Sequence, residues 1–261
     1  MNRVSVCKRW AGLCLSVACV VFGSNWTVAS TTTNLHIGQS ICLSSVLQST
    51  GKAIQIGDKL FSNFVFSYVD TDNIVCNNLK ASQVNLTALD DQFGYGFSMQ
   101  MPLSASGNVT KDVVIKFSVL VLDPTKKISD VHLDMTASTH GMGLADVSES
   151  VYTNGFGVGT IAHLDVSSPG ALSKSVTFST PQTMIYVEKD ILVSSGNCNL
   201  IKDNASICKI EQSFSQIPEP STWLLVGLGL LGLLKCHSIS RRFAMGTQPA
   251  PASAKMVGRA S

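Results

Sequence analysis

From Val113 to Leu122 every second side chain is large and apolar: Val113, Ile115, Phe117, Val119 and Val121. Val114, Lys116, Ser118, Leu120 and Leu122 lie between them. A repeat of two is the repeat of a β-strand. A run this rich in β-branched residues suits a central strand with both faces largely buried, so it requires a second layer of structure. Val131, Leu133 and Met135 alternate with His132, Asp134 and Thr136, as in a half-exposed strand. Further strands are expected at Asn63–Val69, Gln83–Leu89, Phe93–Met99, Ile161–Val166, Ser175–Ser179, Met184–Val193 and Ser206–Gln212. Asp123-Pro124, Ser168-Pro169-Gly170 and Thr180-Pro181 punctuate them. The spacing predicts a mainly β fold, an antiparallel β-sandwich. Only Cys42–Gln48 hints at a helix.

Both ends of the chain have a different character. Met1–Trp10 carries Arg3, Lys8 and Arg9 and no acid, and Ala11–Gly23 is an apolar run. Small residues at Thr27 and Ala29 then fit cleavage after Ala29; Val28 and Ser30 allow cleavage after Ser30. This is the order of a secretory signal helix, and the run is short for a membrane span. Residues 1–29 are therefore read as a signal peptide and 30–216 as the folded ectodomain. All five arginines and all three tryptophans lie outside that ectodomain. Between Thr31 and Ile217 there are 16 acidic residues against 11 lysines, a net of −5. An acidic domain without arginine is a poor phosphate binder, which argues against nucleic acid as a partner.

The other end reads Ile217-Pro218-Glu219-Pro220-Ser221-Thr222, then the apolar run Trp223–Leu234, then Lys235, Arg241 and Arg242. The two prolines keep their segment extended. The apolar run covers about 18 Å as a helix, against a hydrocarbon core of ~30 Å. With Lys235–Ser240 added and Lys235 snorkelling, it reaches the length of one transmembrane helix. Basic residues beyond it predict that this end stays cytoplasmic. Motif, helix and basic cluster over 217–242 resemble the PEP-CTERM sorting signal of bacterial exported proteins. That resemblance implies recognition by an exosortase, a membrane cysteine protease, through Pro218, Glu219 and Pro220, with Arg241 and Arg242 as the basic end. It further implies export through the inner membrane, transient anchoring through the C-terminal helix, and a final place at the cell surface or in the matrix. Residues 243–261 are expected to be a disordered tail. Ile54–Phe64 and Gly141–Val151 also look like a domain recurring in this sorting class, over roughly Cys42 to Ser195, which carries no known activity.

Four cysteines fall in the ectodomain, Cys42, Cys76, Cys198 and Cys208. An even number in an exported domain favours disulfides, and four allow three connectivities. The turn-like Lys202-Asp203-Asn204 between Cys198 and Cys208 suggests a hairpin that sets them opposite each other. The favoured pairing is Cys42–Cys76 with Cys198–Cys208.

No residue set announces catalysis. His132 and Asp134 share a strand face, with His140 and His163 as further candidate ligands, but surface histidines are the simpler reading. Asp70-Thr71-Asp72-Asn73 lacks the glutamate of a calcium loop and reads as a solvated turn. Gly155-Phe156-Gly157-Val158-Gly159 has the wrong spacing for a dinucleotide fingerprint and reads as a flexible loop. No carboxylate pair can be singled out among scattered acids. We expect no enzyme, no metal and no cofactor. The leading function is a non-enzymatic surface or matrix protein associated with exopolysaccharide. The alternatives are a carbohydrate-binding module, in which Tyr68, Tyr95, Tyr152 and Tyr186 would serve in place of tryptophan, and a secreted hydrolase with paired carboxylates in a deep pocket.

Overall fold

The computed structural model describes residues 31–70, 79–196, 203–218, 226 and 228. Its strands, numbered in chain order, form two sheets. The first runs in space β1 (Thr31–Asn34), β3 (Lys52–Ile56), β4 (Lys59–Asp70), β7 (Thr110–Val121), β12 (Met184–Ser194), β9 (Leu144–Tyr152) and β10 (Thr160–Ser168). The second runs β11 (Ser173–Gln182), β8 (Lys126–His140), β13 (Asn204–Ser213), β6 (Gly94–Ser106), β5 (Asn85–Asp91) and β2 (Ser40–Cys42). The short β14 (Gln216–Pro218) continues the line of β13 alongside β8. The β1–β3 pair is parallel; the other strand pairs are antiparallel. From β6 onward the chain changes sheet at almost every connection, the exceptions being β9–β10 and β13–β14. The fold is thus mainly β and sandwich-like, as expected, with antiparallel-rich sheets. The helix hinted at Cys42–Gln48 is instead a pair of 3-10 turns, Leu43–Ser45 and Gln48–Thr50.

β7 is the central strand of its sheet, as its alternation predicts. Val113, Ile115, Phe117 and Val119 are fully buried on the inner face. The outer set is only half-buried at Val114, Lys116 and Leu120 and exposed at Leu122. The expectation of two largely buried faces is corrected: no third layer covers this side among the described residues. Between the sheets, Phe61, Phe97 and Phe117 meet with ring centroids 5.1 Å apart in edge-on pairs. Phe64 stacks on Phe117 at 5.5 Å, and Phe214 closes the group against Phe61 at 6.0 Å. Each buried ring stabilises the fold by about 1.5–3 kcal/mol.

Phe61 and Phe64 could not both face inward from a regular strand, since residues three apart point to opposite faces. A bulge between Ser62 and Val65 in the β4–β7 ladder reverses the phase. Asn63 takes the left-handed conformation, φ 58°, and its amide donates to Ser118 Oγ at 2.9 Å.

Candidate functional site

Phe214 and Ser215 separate β13 from β14. The Phe214 ring is fully buried; Ser215 donates its N–H to Asp130 Oδ1 at 3.1 Å and accepts from Ser129 N at 3.0 Å. The chain then pairs Gln216 with Ile128, Ile217 with Lys127 and Pro218 with Lys126. Proline donates no N–H, so an edge position of this kind suits it. The expected boundary after residue 216 therefore falls inside a strand of the sandwich. Pro218 of the motif is held on the domain; Glu219, Pro220, Arg241 and Arg242 lie outside the described residues.

Beside β14 is a cavity of about 350 Å³. Its walls come from the β3–β4 turn, the β5–β6 turn, the first residue of β8 and residues 214–218. Lys59 is its buried cation, with a side chain 2% exposed and Asp58 Oδ1 at 3.5 Å. Burial holds this ammonium below the usual lysine range, while the Asp58 charge pulls the other way. Asp58 Oδ2 also meets Lys126 Nζ at 3.3 Å, and this contact raises Lys126. Phe93 and Tyr95 are the aromatic walls. Gly57 shapes the first turn: at φ +57° it keeps the backbone under the Tyr95 ring, which a Cβ would meet at 2.4 Å. A second, larger groove of about 640 Å³ lies around Gln100, Pro102, Ser104, Ser206, Cys208 and Lys209.

His132 Nε2 lies 2.6 Å from Asp134 Oδ2, yet His132 is buried, its ring stacked 3.8 Å from that of Phe93. The surface reading of that histidine is therefore corrected. His163 sits on the other sheet, beside Asp165 at 3.0 Å. Among the described residues no three His, Cys, Asp or Glu side chains converge as metal ligands. Of the Asp70–Asn73 turn only Asp70 is described; it accepts from Tyr68 Oη at 2.8 Å. Gly155–Gly159 is a hydrogen-bonded hairpin turn rather than an unstructured loop: Thr153 N donates to Gly159 O at 3.0 Å and Val158 N to Gly155 O at 3.1 Å.

Among the described residues Cys42 and Cys208 are bonded to no other cysteine; their expected partners Cys76 and Cys198 lie outside the described residues. The hairpin reasoning for Cys198–Cys208 is corrected. β13 has β6 on one edge and β8 on the other, so no hairpin arm can pair beside Cys208. The register Cys42–Asn85–Gln100–Lys209 also separates Cys42 from the Cys208 region by three strand spacings. At about 4.8 Å each, this exceeds the ~7 Å Cα limit of a disulfide and removes one of the three connectivities.

Two polar groups escaped the sequence reading. Glu149, Lys189 and Gln212 are fully buried between the sheets. Lys189 Nζ donates to Glu149 Oε2 and Gln212 Oε1, and Gln212 Nε2 donates to His132 O at 3.0 Å. Burial pushes the Glu149 carboxyl up and the Lys189 amine down, both toward the neutral form. On the outer face of the first sheet Asp112 and Asp190 form a carboxyl pair. Asp112 is pushed up to about 6, by burial first and then by its hydrogen bond to Asp190.

Residues 216–242 match the model of the PEP-CTERM protein-sorting motif. The chain carries a PEP-CTERM sorting signal. This signal marks an exported exosortase substrate, and it begins on the first residue of β14. The apolar run inside it, expected as a transmembrane helix, is described only at Val226 and Leu228, which are helical and exposed. Among the described residues no helix is long and apolar enough to cross a membrane. The expected signal peptide lies outside the described residues. No curated protein matches the chain. Solved structures similar to it include TmCBM61 in complex with β-1,4-galactotriose, 11% identical with a TM-score of 0.29, over 59% of this chain and 88% of that one. The enzymatically active domain of bacteriophage CBA120 tailspike protein 4 is 17% identical with a TM-score of 0.26, over 59% and 19%. CsCBM6-3 from Clostridium stercorarium with cellobiose is 12% identical with a TM-score of 0.20, over 57% and 93%. Likeness at these TM-scores carries no ligand or activity across to this chain.

Proposed function

We propose that this chain is a non-catalytic protein of the cell surface or extracellular matrix that associates with exopolysaccharide. Its C-terminal helix anchors it in the inner membrane until an exosortase processes it. The observation that carries this reading is the fusion of sorting signal and sandwich: both β14 and the matched motif start at Gln216. A domain joined so directly to an export tail is itself the cargo. The position of the Asp112–Asp190 pair, on an outer sheet face and outside both cavities described above, favours a structural or binding role over hydrolysis.

Replacing Pro218-Glu219-Pro220 by alanines tests the sorting step, in a strain that encodes an exosortase and with a tag after Ser261. Alanine favours helix, so the extended segment would join the helix that follows. Backbone groups already paired in a helix are poor protease substrates. The wild type is expected to lose its tag, and the variant to be exported and to accumulate in the inner membrane with the tag attached. Equal tag loss in both would reduce the motif to a linker.

A further inference from the structure

The cavity beside β14 holds polar groups that the fold does not satisfy. Asp58 Oδ1 and Gln216 Nε2 are both buried and have no hydrogen-bond partner among the described residues. Lys59 Nζ lies 3.5 Å from Asp58 Oδ1, at the far limit of a hydrogen bond, and 5.3 Å from the centre of the Tyr95 ring. Native structures rarely leave such groups unpaired without a ligand or a functional reason. The set comprises one acceptor and two donors within one lining. Its natural complement is a pair of neighbouring hydroxyls, since each both donates and accepts.

Charge selects between ligands. Lys59 and Lys126 balance Asp58 and Asp91 around the cavity, so neither an anion nor a cation is favoured over a neutral group. The aromatic walls supply apolar surface for the C–H faces of a pyranose ring. The volume of about 350 Å³ lies at the lower end of small-molecule pockets, ~300–1,000 Å³, the scale of a single sugar unit rather than a long segment. The geometry is fixed before binding. Gly94 has φ +101°, and a Cβ there would meet Phe214 O at 2.8 Å, so the β5–β6 turn and the β13–β14 link are set in place together.

We infer that this cavity binds a neutral hexose unit of a polysaccharide, with Asp58 accepting from one hydroxyl and Lys59 and Gln216 donating to its neighbours. The inference deepens the matrix reading and rests on it for the source of the sugar.

The test is affinity electrophoresis of the purified full-length chain in mild detergent. Gels are cast with β-glucan, galactan, mannan, the producing organism's own exopolysaccharide, or polygalacturonate as the acidic arm. Retardation is expected in at least one neutral gel or in the native exopolysaccharide. Asp58→Asn and Gln216→Ala should each weaken it about tenfold or more, as loss of a hydrogen bond to a charged or buried group does. Gln216→Ala leaves the Lys59–Asp58 contact in place, so it reads binding even where Asp58→Asn perturbs folding. Tyr152→Ala, on the outer face of the first sheet, should leave retardation unchanged. Retardation in no gel, in polygalacturonate alone, or equally for wild type and both cavity variants overturns the inference. Localisation of the tagged wild type judges the matrix reading separately: a chain present in the matrix but never retarded sinks only the sugar site.

Discussion

Glu149, Lys189 and Gln212 set an acid, a base and an amide, all fully buried, between the two sheets. Removing one partner leaves the other buried without compensation, so Glu149→Ala should destabilise the domain by about 3–5 kcal/mol in urea unfolding. Replacing both, as Glu149→Leu with Lys189→Met, should leave stability unchanged or raise it by about 1–4 kcal/mol. Similar losses for the single and the double variant would mean that packing, not charge, sets the cost. Asp112 gives a pH signature of opposite character. Its folded pKa of about 6 lies above the unfolded value of ~3.9. The folded chain therefore holds the extra proton between the two. The contribution is fully present below the unfolded value and is lost as pH rises through about 6. Asp112→Asn should be more stable than wild type at pH 7, by about 1 kcal/mol or less because the side chain is only partly buried. Melting curves should show that advantage vanish toward pH 4; an advantage independent of pH would assign it to something other than this proton. Neither pair is legible in the sequence, because strand register decides which distant acids and bases meet. Lys59 did leave a trace. It stands in phase with buried Phe61 on β4, so alternation alone points it inward.

At the scale of the element, alternation located most of the long strands, including β4, β7, β8 and β12. β9 escaped it. Its inward set is Ala145, Val147, Glu149 and Val151, and a buried glutamate breaks the apolar repeat. The alternation predicts a strand Phe93–Met99, yet β6 continues to Ser106, with Met101, Leu103 and Ala105 inward. In the sequence Pro102 argues against an interior strand. Here two residues of β6, Met101 and Pro102, face the single Cys208 of β13, so the missing N–H falls at a bulge. The β4 bulge offers a direct test. A β-branched side chain resists the φ of 58° at Asn63, so Asn63→Val should cost about 1–3 kcal/mol. Asn63→Gly should cost less, keeping the turn while losing the hydrogen bond to Ser118. Thermal unfolding in which valine is tolerated better than glycine would show that the bulge does not govern the phase of Phe61 and Phe64.

For the molecule as a whole, the sandwich architecture and the sorting tail were legible because each is written in local pattern: period two for the strands, ordered blocks for the tail. The cavity was not, since it is assembled from four separate places in the chain. Nor was the way the domain joins its tail, because Gln216–Pro218 reads as linker until β8 is seen beside it. That junction fixes a stand-off distance. If the anchoring helix of the proposed reading enters the bilayer where the apolar run begins, at Trp223, only Glu219–Thr222 would separate the last paired residue from the membrane. Four residues reach at most about 14 Å when fully drawn out, little more than the ~10 Å spacing between two packed sheets. A processing enzyme would have to work within that gap, in the shadow of the domain. Peeling the three residues of β14 from β8 would lengthen the leash by about 10 Å. A three-residue strand, one of the two shortest in the sandwich, would thus set how much slack the protease is given.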